Sequence, residues 1–297
     1  TSLPEIATSV TATLRGEPAL AINNLLGGVV FQTMVLAIAD LVGKPGALTG
    51  KVPSFGLLLQ GVSLICLLAT TVMAAGMETH FRHLPWVADV GAGLIAAVFV
   101  LTAWVTMRAR ARPGWIAASE SGQPVASAEE AEEQESPAAP GVRGLWLRFA
   151  AGSAAVCAGG YAIVLSTEQV ARSTGASQSF LGFTLVAIVT SLPELSTTLS
   201  ASRRGHGVTA VSNVFGSNSF DVALLILVAL ISEGALFADA LVPTVFSAGL
   251  GIVLTTIYLI GMLERRDRTL WRMGWDSVAV IVLGSLGVLA MYALGAG

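Results

Sequence analysis

The chain carries the same unusual block twice. "TSLPEIATS" at residues 1–9 returns as "TSLPELSTT" at 190–198. The likeness runs on, and residues 1–32 align with 190–221 at a constant offset of 189 without a gap. Thirteen of the 32 positions are identical. They are Thr1, Ser2, Leu3, Pro4, Glu5, Thr8, Ala12, Arg15, Gly16, Ala21, Asn24, Gly27 and Phe31, against Thr190, Ser191, Leu192, Pro193, Glu194, Thr197, Ala201, Arg204, Gly205, Ala210, Asn213, Gly216 and Phe220. Each copy holds two helix-sized pieces joined by a short Arg-Gly turn. A repeat on this scale fixes the structural unit before any single motif does.

The copies sit in apolar sequence. A membrane-spanning helix needs about 20 largely apolar residues. Charge-free windows occur at 52–77, 90–107, 149–167, 173–193, 240–263 and 277–297. Two more spans, around 19–41 and 208–232, carry one acid each, and residues 1–14 read as the second half of another. Only 12% of the residues are charged, against about 25% in soluble domains. The pattern predicts an all-α integral membrane protein. Its eight full helices fall near 19–41, 54–76, 85–108, 145–167, 178–202, 208–232, 238–262 and 275–295, after a half helix.

Lysine and arginine set the orientation. One alternating set of loops holds Lys44, Lys51, Arg108, Arg110, Arg112, Arg143, Arg148, Arg203, Arg204, Arg265, Arg266, Arg268 and Arg272, which is 13 of 16. The other set holds Arg15, Arg82 and Arg172. The positive-inside rule puts the richer set in the cytoplasm. The helix of Glu194 follows that of Glu5 by five spans, an odd number, so the two copies are upside down relative to each other. Inverted repeats built from interrupted helices mark secondary transporters, with the ion site where the copies meet. Counterparts of the span at 145–167 and of the first part of 178–202 are missing before Thr1. By the offset, about 45 residues are expected to precede it, giving ten helices in two sets of five.

Residues 109–144 are the one long polar segment, rich in Ala, Ser, Pro and Glu. Such composition reads as a solvated cytoplasmic linker. Its acids Glu129, Glu130, Glu132, Glu133 and Glu135 lack the Gly and Asx spacing of a calcium loop. The linker divides the chain into a first membrane region, 1–108, and a second, 145–297.

Proline and glutamate are costly inside a membrane helix, so their repeated use needs a reason. Pro4 and Pro193 each remove an N–H and break the turn before them. Carbonyls freed in this way are tolerated only where they line a protein-enclosed or watery cavity. With the hydroxyls of Thr1, Ser2, Thr190 and Ser191, they are hard oxygen ligands, and Glu5 and Glu194 add carboxylates. Calcium asks for about 6–8 oxygens, and sodium is served by unwound carbonyls and helix ends. In "NVFGSNSFD", Ser217 and Asp221 stand four apart, on one helix face. Gly27 and Gly216 are expected to allow close helix approach. Each buried acid costs about 2.5–3.5 kcal/mol at the bilayer centre. Glu5, Glu194 and Asp221 are therefore expected to converge around cations that neutralise them, and competition of cations for shared acids favours exchange over leak. A lone Pro usually only kinks a membrane helix, and a lone acid often pairs with an arginine. Packing does not explain the same block at inverted positions.

Other polar residues have blander readings. Asn24, Asn213 and Asn218 suit either cation ligation or helix–helix hydrogen bonding. Asp40 and Asp89 lie near span ends and are expected at the interface. His80 and His83 read as a solvated loop. Cys66 and Cys157, in apolar runs without partners at disulfide or ligand spacing, read as small buried hydrophobes.

"TSLPELSTTLSASRRG" followed by "AVSNVFGSNSFD" resembles the alpha repeat of the sodium/calcium exchanger family, within the cation/calcium antiporter superfamily. The resemblance covers the whole chain, including the five-plus-five helix plan and the central cytoplasmic loop. It implies an inverted-repeat cation antiporter fold. It also implies a site built from Thr1, Ser2, Glu5, Thr190, Ser191, Glu194, Ser217 and Asp221. The first copy departs from the motif: Gly28 replaces Ser, Val29 replaces Asn, and Gln32 replaces Asn or Asp. Gln32 keeps an amide oxygen on a longer arm. The loop at 109–144 is too short for the folded calcium-sensing domains of animal exchangers, which points to an unregulated bacterial-type carrier in the inner membrane.

The expected function is sodium/calcium antiport by alternating access, not an enzyme activity. A proton-coupled or potassium-handling cation exchanger on the same fold is the alternative. An intramembrane acid protease or a passive channel is more remote, since the acids sit among Pro, Ser and Thr oxygens as a cation site requires. No cofactor or nucleic acid is expected. The partners are the bilayer and the transported calcium and sodium ions (or protons); the sequence leaves the oligomeric state open, and a monomer is compatible with it.

Overall fold

Without water to satisfy the backbone, apolar runs of this length must hydrogen-bond within themselves, and they do so as helices. The computed structural model describes residues 2–43, 46–52, 54–81, 83–84, 86–111, 142–232, 236–237, 240–264, 269–270 and 272–295. In order, the helices are α1 (Leu3–Leu14), α2 (Pro18–Val42), the single turn α3 (Leu48–Lys51), α4 (Phe55–His80) and α5 (Val87–Ala111). Then come α6 (Val142–Thr174), α7 (Gln178–Thr190), α8 (Leu192–Arg204), α9 (Gly207–Ile231), α10 (Leu241–Glu264) and α11 (Trp275–Gly295). A two-stranded hairpin, β1 (Thr269–Leu270) and β2 (Met273–Gly274), precedes α11. Among the described residues, seven helices are long and apolar enough to span, and the bent pair α7–α8, taken as one span, makes an eighth. The 12-residue α1 is the expected half helix. Most of the linker, 112–141, lies outside the described residues, as does Thr1.

The repeat is visible in the backbone. Helices α2 and α9 begin and end 189 residues apart at both termini. The turns between the paired helices match as well. Gly16 and Gly205 adopt φ of 80° and 89°, a left-handed conformation that glycine adopts without a Cβ clash. Just after each, the N–H of Glu17 reaches the Ala12 carbonyl and that of His206 the Ala201 carbonyl, both at 2.9 Å. Near 29–32 the two copies meet. Gln32 Nε2 donates to Asp221 Oδ2 at 3.1 Å, and Asn218 Nδ2 to the Val29 carbonyl at 3.3 Å. Both pairs are separated by 189 residues, so each joins a residue to its own counterpart. Under a two-fold relation, only residues beside the axis can do this. Helices α2 and α9 therefore cross on the axis of the inverted repeat.

Helix α2 runs through the middle, and every residue from Leu20 to Val30 is buried. Helices α5 and α6 present most of their surface outward. Arg15, in the α1–α2 turn, pairs with both carboxylate oxygens of Glu168 on α6, with Nη2 to Oε2 at 2.8 Å. The span α7–α8 bends by 50° at Ser191, where Pro193 has no N–H to offer the turn before it. Residues Gly182–Val186 in α7 form a π-helical turn, a geometry frequent at functional sites. Helix α2 packs directly on that turn. A Cβ at Gly27 would collide with the Phe183 backbone, 2.6 Å from its Cα, and one at Gly182 would sit 2.5 Å from the Leu20 carbonyl.

Three expectations change here. Gly216 does not serve a close approach: a Cβ there meets nothing within 4 Å, because its face of α9 has no packed backbone among the described residues. Cys66 and Cys157 are exposed, not buried. An apolar run marks a membrane helix but does not say which face turns to lipid. Asp40 is buried at 3% exposure, while Asp89 is exposed as expected. The glycine contrast gives a prediction. Gly27→Ala should destabilise the protein by about 1–3 kcal/mol, as overpacking does. Gly216→Ala should stabilise it by about 0.5–1 kcal/mol through helix propensity. Thermal unfolding of the purified variants in detergent checks this, and equal shifts for the two would refute the packing asymmetry.

Candidate cation site

The broken helices deliver their acids to the crossing of α2 and α9. Glu5 stands in the first turn of α1 and Glu194 in the first turn of α8. Asp221 comes from the middle of α9. Glu5 is 1% exposed and Glu194 and Asp221 are 0% exposed. Glu5 lies within electrostatic range of both other acids, and Asp221 within range of Glu194. Both carboxylate oxygens of Glu5, both of Glu194 and Oδ1 of Asp221 are buried without a hydrogen-bond partner. So are the side-chain oxygens of Gln32 and Asn218. Buried oxygens are nearly always hydrogen-bonded in native proteins. Among the described residues these oxygens form a group without hydrogen-bond donors, an arrangement chemically suited to cations.

Among the described residues, no three His, Cys, Asp or Glu side chains stand close enough to hold one ion. Glu5, Glu194 and Asp221 therefore do not close on one point, and a cation between any of them would complete its shell with neutral oxygens.

Matched hydrogen bonds fix the two glutamates. On one side Asn24 Nδ2 donates to Thr8 Oγ1 at 3.1 Å, and that hydroxyl reaches the Pro4 carbonyl at 2.9 Å and that of Glu5 at 3.2 Å. On the other, Asn213 Nδ2 donates to Thr197 Oγ1 at 3.2 Å, and that hydroxyl reaches the Pro193 and Glu194 carbonyls at 3.1 Å each. Each asparagine thus ties its helix to the first turn after the proline. Asn24 Oδ1 also accepts from Thr190 Oγ1 at 3.2 Å, linking α2 to the broken span. Asn218 Nδ2 donates to Thr33 Oγ1 at 3.2 Å. The three asparagines are therefore helix–helix connectors, and Asn218 also keeps a buried oxygen without a partner.

Ser191 is fully buried at the break, and its hydroxyl accepts from Gln32 Nε2 at 3.3 Å. Its carbonyl accepts from the Leu195 N–H at 3.0 Å, so that oxygen is engaged in the helix ladder. The same holds for the Ser2 carbonyl, which accepts from Ile6 at 3.2 Å. Ser217 is buried one turn before Asp221. A Cβ at Gly28 would stand 3.5 Å from Asp221 Oδ2 and 3.7 Å from Ser191 Oγ, so that position faces the same cavity. Thr8 and Thr197 were not among the expected site residues. Their identity in both copies was the available signal.

Comparison with known proteins agrees with this architecture. Residues 1–109 and 144–295 match the family described as sodium/calcium exchanger protein. An uncharacterized membrane protein of Methanocaldococcus jannaschii is 25% identical over 292 residues, 98% of this chain and 83% of its own. Sodium/calcium exchanger MaX1 of Methanosarcina acetivorans is 41% identical over 73 residues, 25% of this chain and 21% of its own. The solved structure of the sodium-calcium exchanger NCX_Mj, soaked with 100 mM Na+ and 10 mM Sr2+, shares the fold. It aligns with TM-score 0.56 at 20% identity, covering 97% of this chain and 82% of its own. On a match that spans both repeats, the chain belongs to the sodium/calcium exchanger protein family, multi-pass membrane cation antiporters rather than enzymes.

Proposed function

We propose that this protein exchanges calcium for sodium by alternating access at a site formed by Glu5, Glu194 and Asp221. Gln32, Ser217 and Asn218 would supply neutral oxygens, with Ser191, Thr190 and Ser2 beside them and Thr1 outside the described residues. The observation that carries this reading is the set of unpartnered buried carboxylate oxygens contributed by both copies. Each bare acid costs about 2.5–3.5 kcal/mol in the membrane, so the empty site reorients reluctantly. One calcium offsets two of the three charges and several sodium ions offset all of them, and either load makes the crossing less costly. Because both ions need the same oxygens, release of one set precedes binding of the other, and flux in one direction depends on flux in the other.

The test is calcium uptake by proteoliposomes loaded with sodium and diluted into sodium-free buffer. Uptake that requires the sodium gradient supports the reading. Uptake driven only by an imposed pH or potassium gradient would move the protein to proton- or potassium-coupled exchange on the same fold. Flux that neither saturates nor needs a counter-ion would indicate a channel. From the arginine bias we also place 109–144 in the cytoplasm of a bacterial cell and the protein in its inner membrane. A single cysteine introduced into that segment should resist a membrane-impermeant thiol reagent in intact cells, and labelling from outside would reverse the orientation.

A further inference from the structure

Gln32 and Asp221 occupy equivalent positions of the two copies and touch across the axis. In a strictly symmetric site both would be acids, facing each other. Here one is an amide. Its nitrogen donates to Asp221 Oδ2 at 3.1 Å and to Ser191 Oγ at 3.3 Å, while its oxygen is buried and unpartnered. With Asp221 ionised and no cation between them, this orientation is the favoured one, since a reversed amide would point its oxygen at a carboxylate oxygen. Gln32 is itself 0% exposed, and Gly28, one turn earlier, leaves no side chain to compete for this space.

We propose that Gln32 determines how many monovalent cations the site holds, by standing in for one of them. This rests on the exchange reading above. A cation bridging Asp221 Oδ2 and Ser191 Oγ would need the place the amide N–H groups fill. The amide provides there a fixed positive dipole that neither binds nor leaves. Asp221 then offers one oxygen, Oδ1, to the transported ions, and the free Gln32 oxygen offers another. The amide thus divides the cavity, with its donor side closed and its acceptor side open. An acid at position 32 would leave two facing carboxylates that a further cation must neutralise, because a buried unpaired charge is not tolerated in the membrane.

The experiment is displacement of radioactive calcium by sodium from the purified detergent-solubilised protein, at alkaline pH so that sodium rather than a proton answers the added charge. Binding is read without turnover, so an inactive variant is still informative. Gln32→Glu preserves shape and replaces the donor with a carboxylate, and Gln32→Asp serves if the longer acid does not give monodisperse protein. The expected result is a displacement curve steeper by one sodium ion per calcium in the acidic variant. An unchanged steepness, with calcium still bound and displaced, overturns the role of Gln32 and leaves the exchange reading intact. Failure of the unmodified protein to bind calcium, or of sodium to displace it, overturns both.

Discussion

Glu194→Gln is expected to abolish sodium-driven calcium uptake and at the same time to stabilise the cation-free protein. The two effects share one cause. Glu194 is fully buried, and neither of its oxygens has a partner in the protein. A carboxylate in that state is stabilising only when a cation is present, and otherwise its desolvation is uncompensated. Glutamine has the same shape and no charge. Without cations, the substitution should relieve a cost on the order of 2.5–3.5 kcal/mol. With cations, it removes a charged ligand worth roughly 1.5–3 kcal/mol, which weakens calcium binding by about 10- to 100-fold. Thermal unfolding separates the effects. The unmodified protein should unfold at higher temperature as calcium is added, since ligand at 100 times its Kd stabilises by about 2.7 kcal/mol. The variant should begin higher and respond little. Glu5→Gln should behave alike, because Glu5 is the inverted counterpart and is equally unpartnered. A Glu194→Gln protein that keeps both the uptake and the calcium-dependent rise would remove this residue from the site.

Much of this was legible because the repeat is long and the pattern apolar. The boundaries of α2 and α9, the break at Ser191 and the burial of Glu5 and Glu194 follow from residues visible in both copies, and that of Asp221 from its place deep in the second one. What stayed hidden depended on which helix lies beside which. Gly27 and Gly216 occupy equivalent positions of the repeat, yet only Gly27 faces a backbone among the described residues, that of the π turn at Phe183. The π turn itself, Gly182–Val186, leaves no mark in an apolar run. The cysteines were misplaced because lipid and protein interior select the same side chains. The asparagines were ambiguous between ligand and connector until their partners Thr8, Thr190, Thr197 and Thr33 were in view. Gln32 read as a longer ligand arm. Its donor role emerged only with Asp221 across the axis.

Asp40 shows the same limit, and its replacement should have the largest effect on folding. A carboxylate near the end of a span suggests a solvated interface. Instead it is 3% exposed, with three donors upon it. Leu48 N–H donates to Oδ1 at 2.7 Å, and Gly274 N–H and Ser277 Oγ each donate to Oδ2 at 2.7 Å. Leu48 opens α3, and Gly274 immediately precedes α11. The N–H groups at helix starts have no partner within their own helix, and their partial positive charge favours an anion. Asp40 therefore joins the end of α2 to the beginnings of two other elements, eight residues beyond Gln32. That is about 12 Å further along the helix axis, so its loss should spare the cation site. Asp40→Ala leaves two buried backbone donors unsatisfied, at about 1–3 kcal/mol each, for a destabilisation of roughly 2–6 kcal/mol. Asp40→Asn keeps an acceptor for one side but turns an N–H against the donor on the other, so it should fall between the two and fail to restore full stability. Unfolding in detergent measures both, and calcium displacement by the folded fraction should remain unchanged in steepness. If Asp40→Ala unfolds with the unmodified protein, this carboxylate is not the tie between α2, α3 and α11. If it is stable but calcium binding is lost, Asp40 acts on the site and not on the frame that holds it.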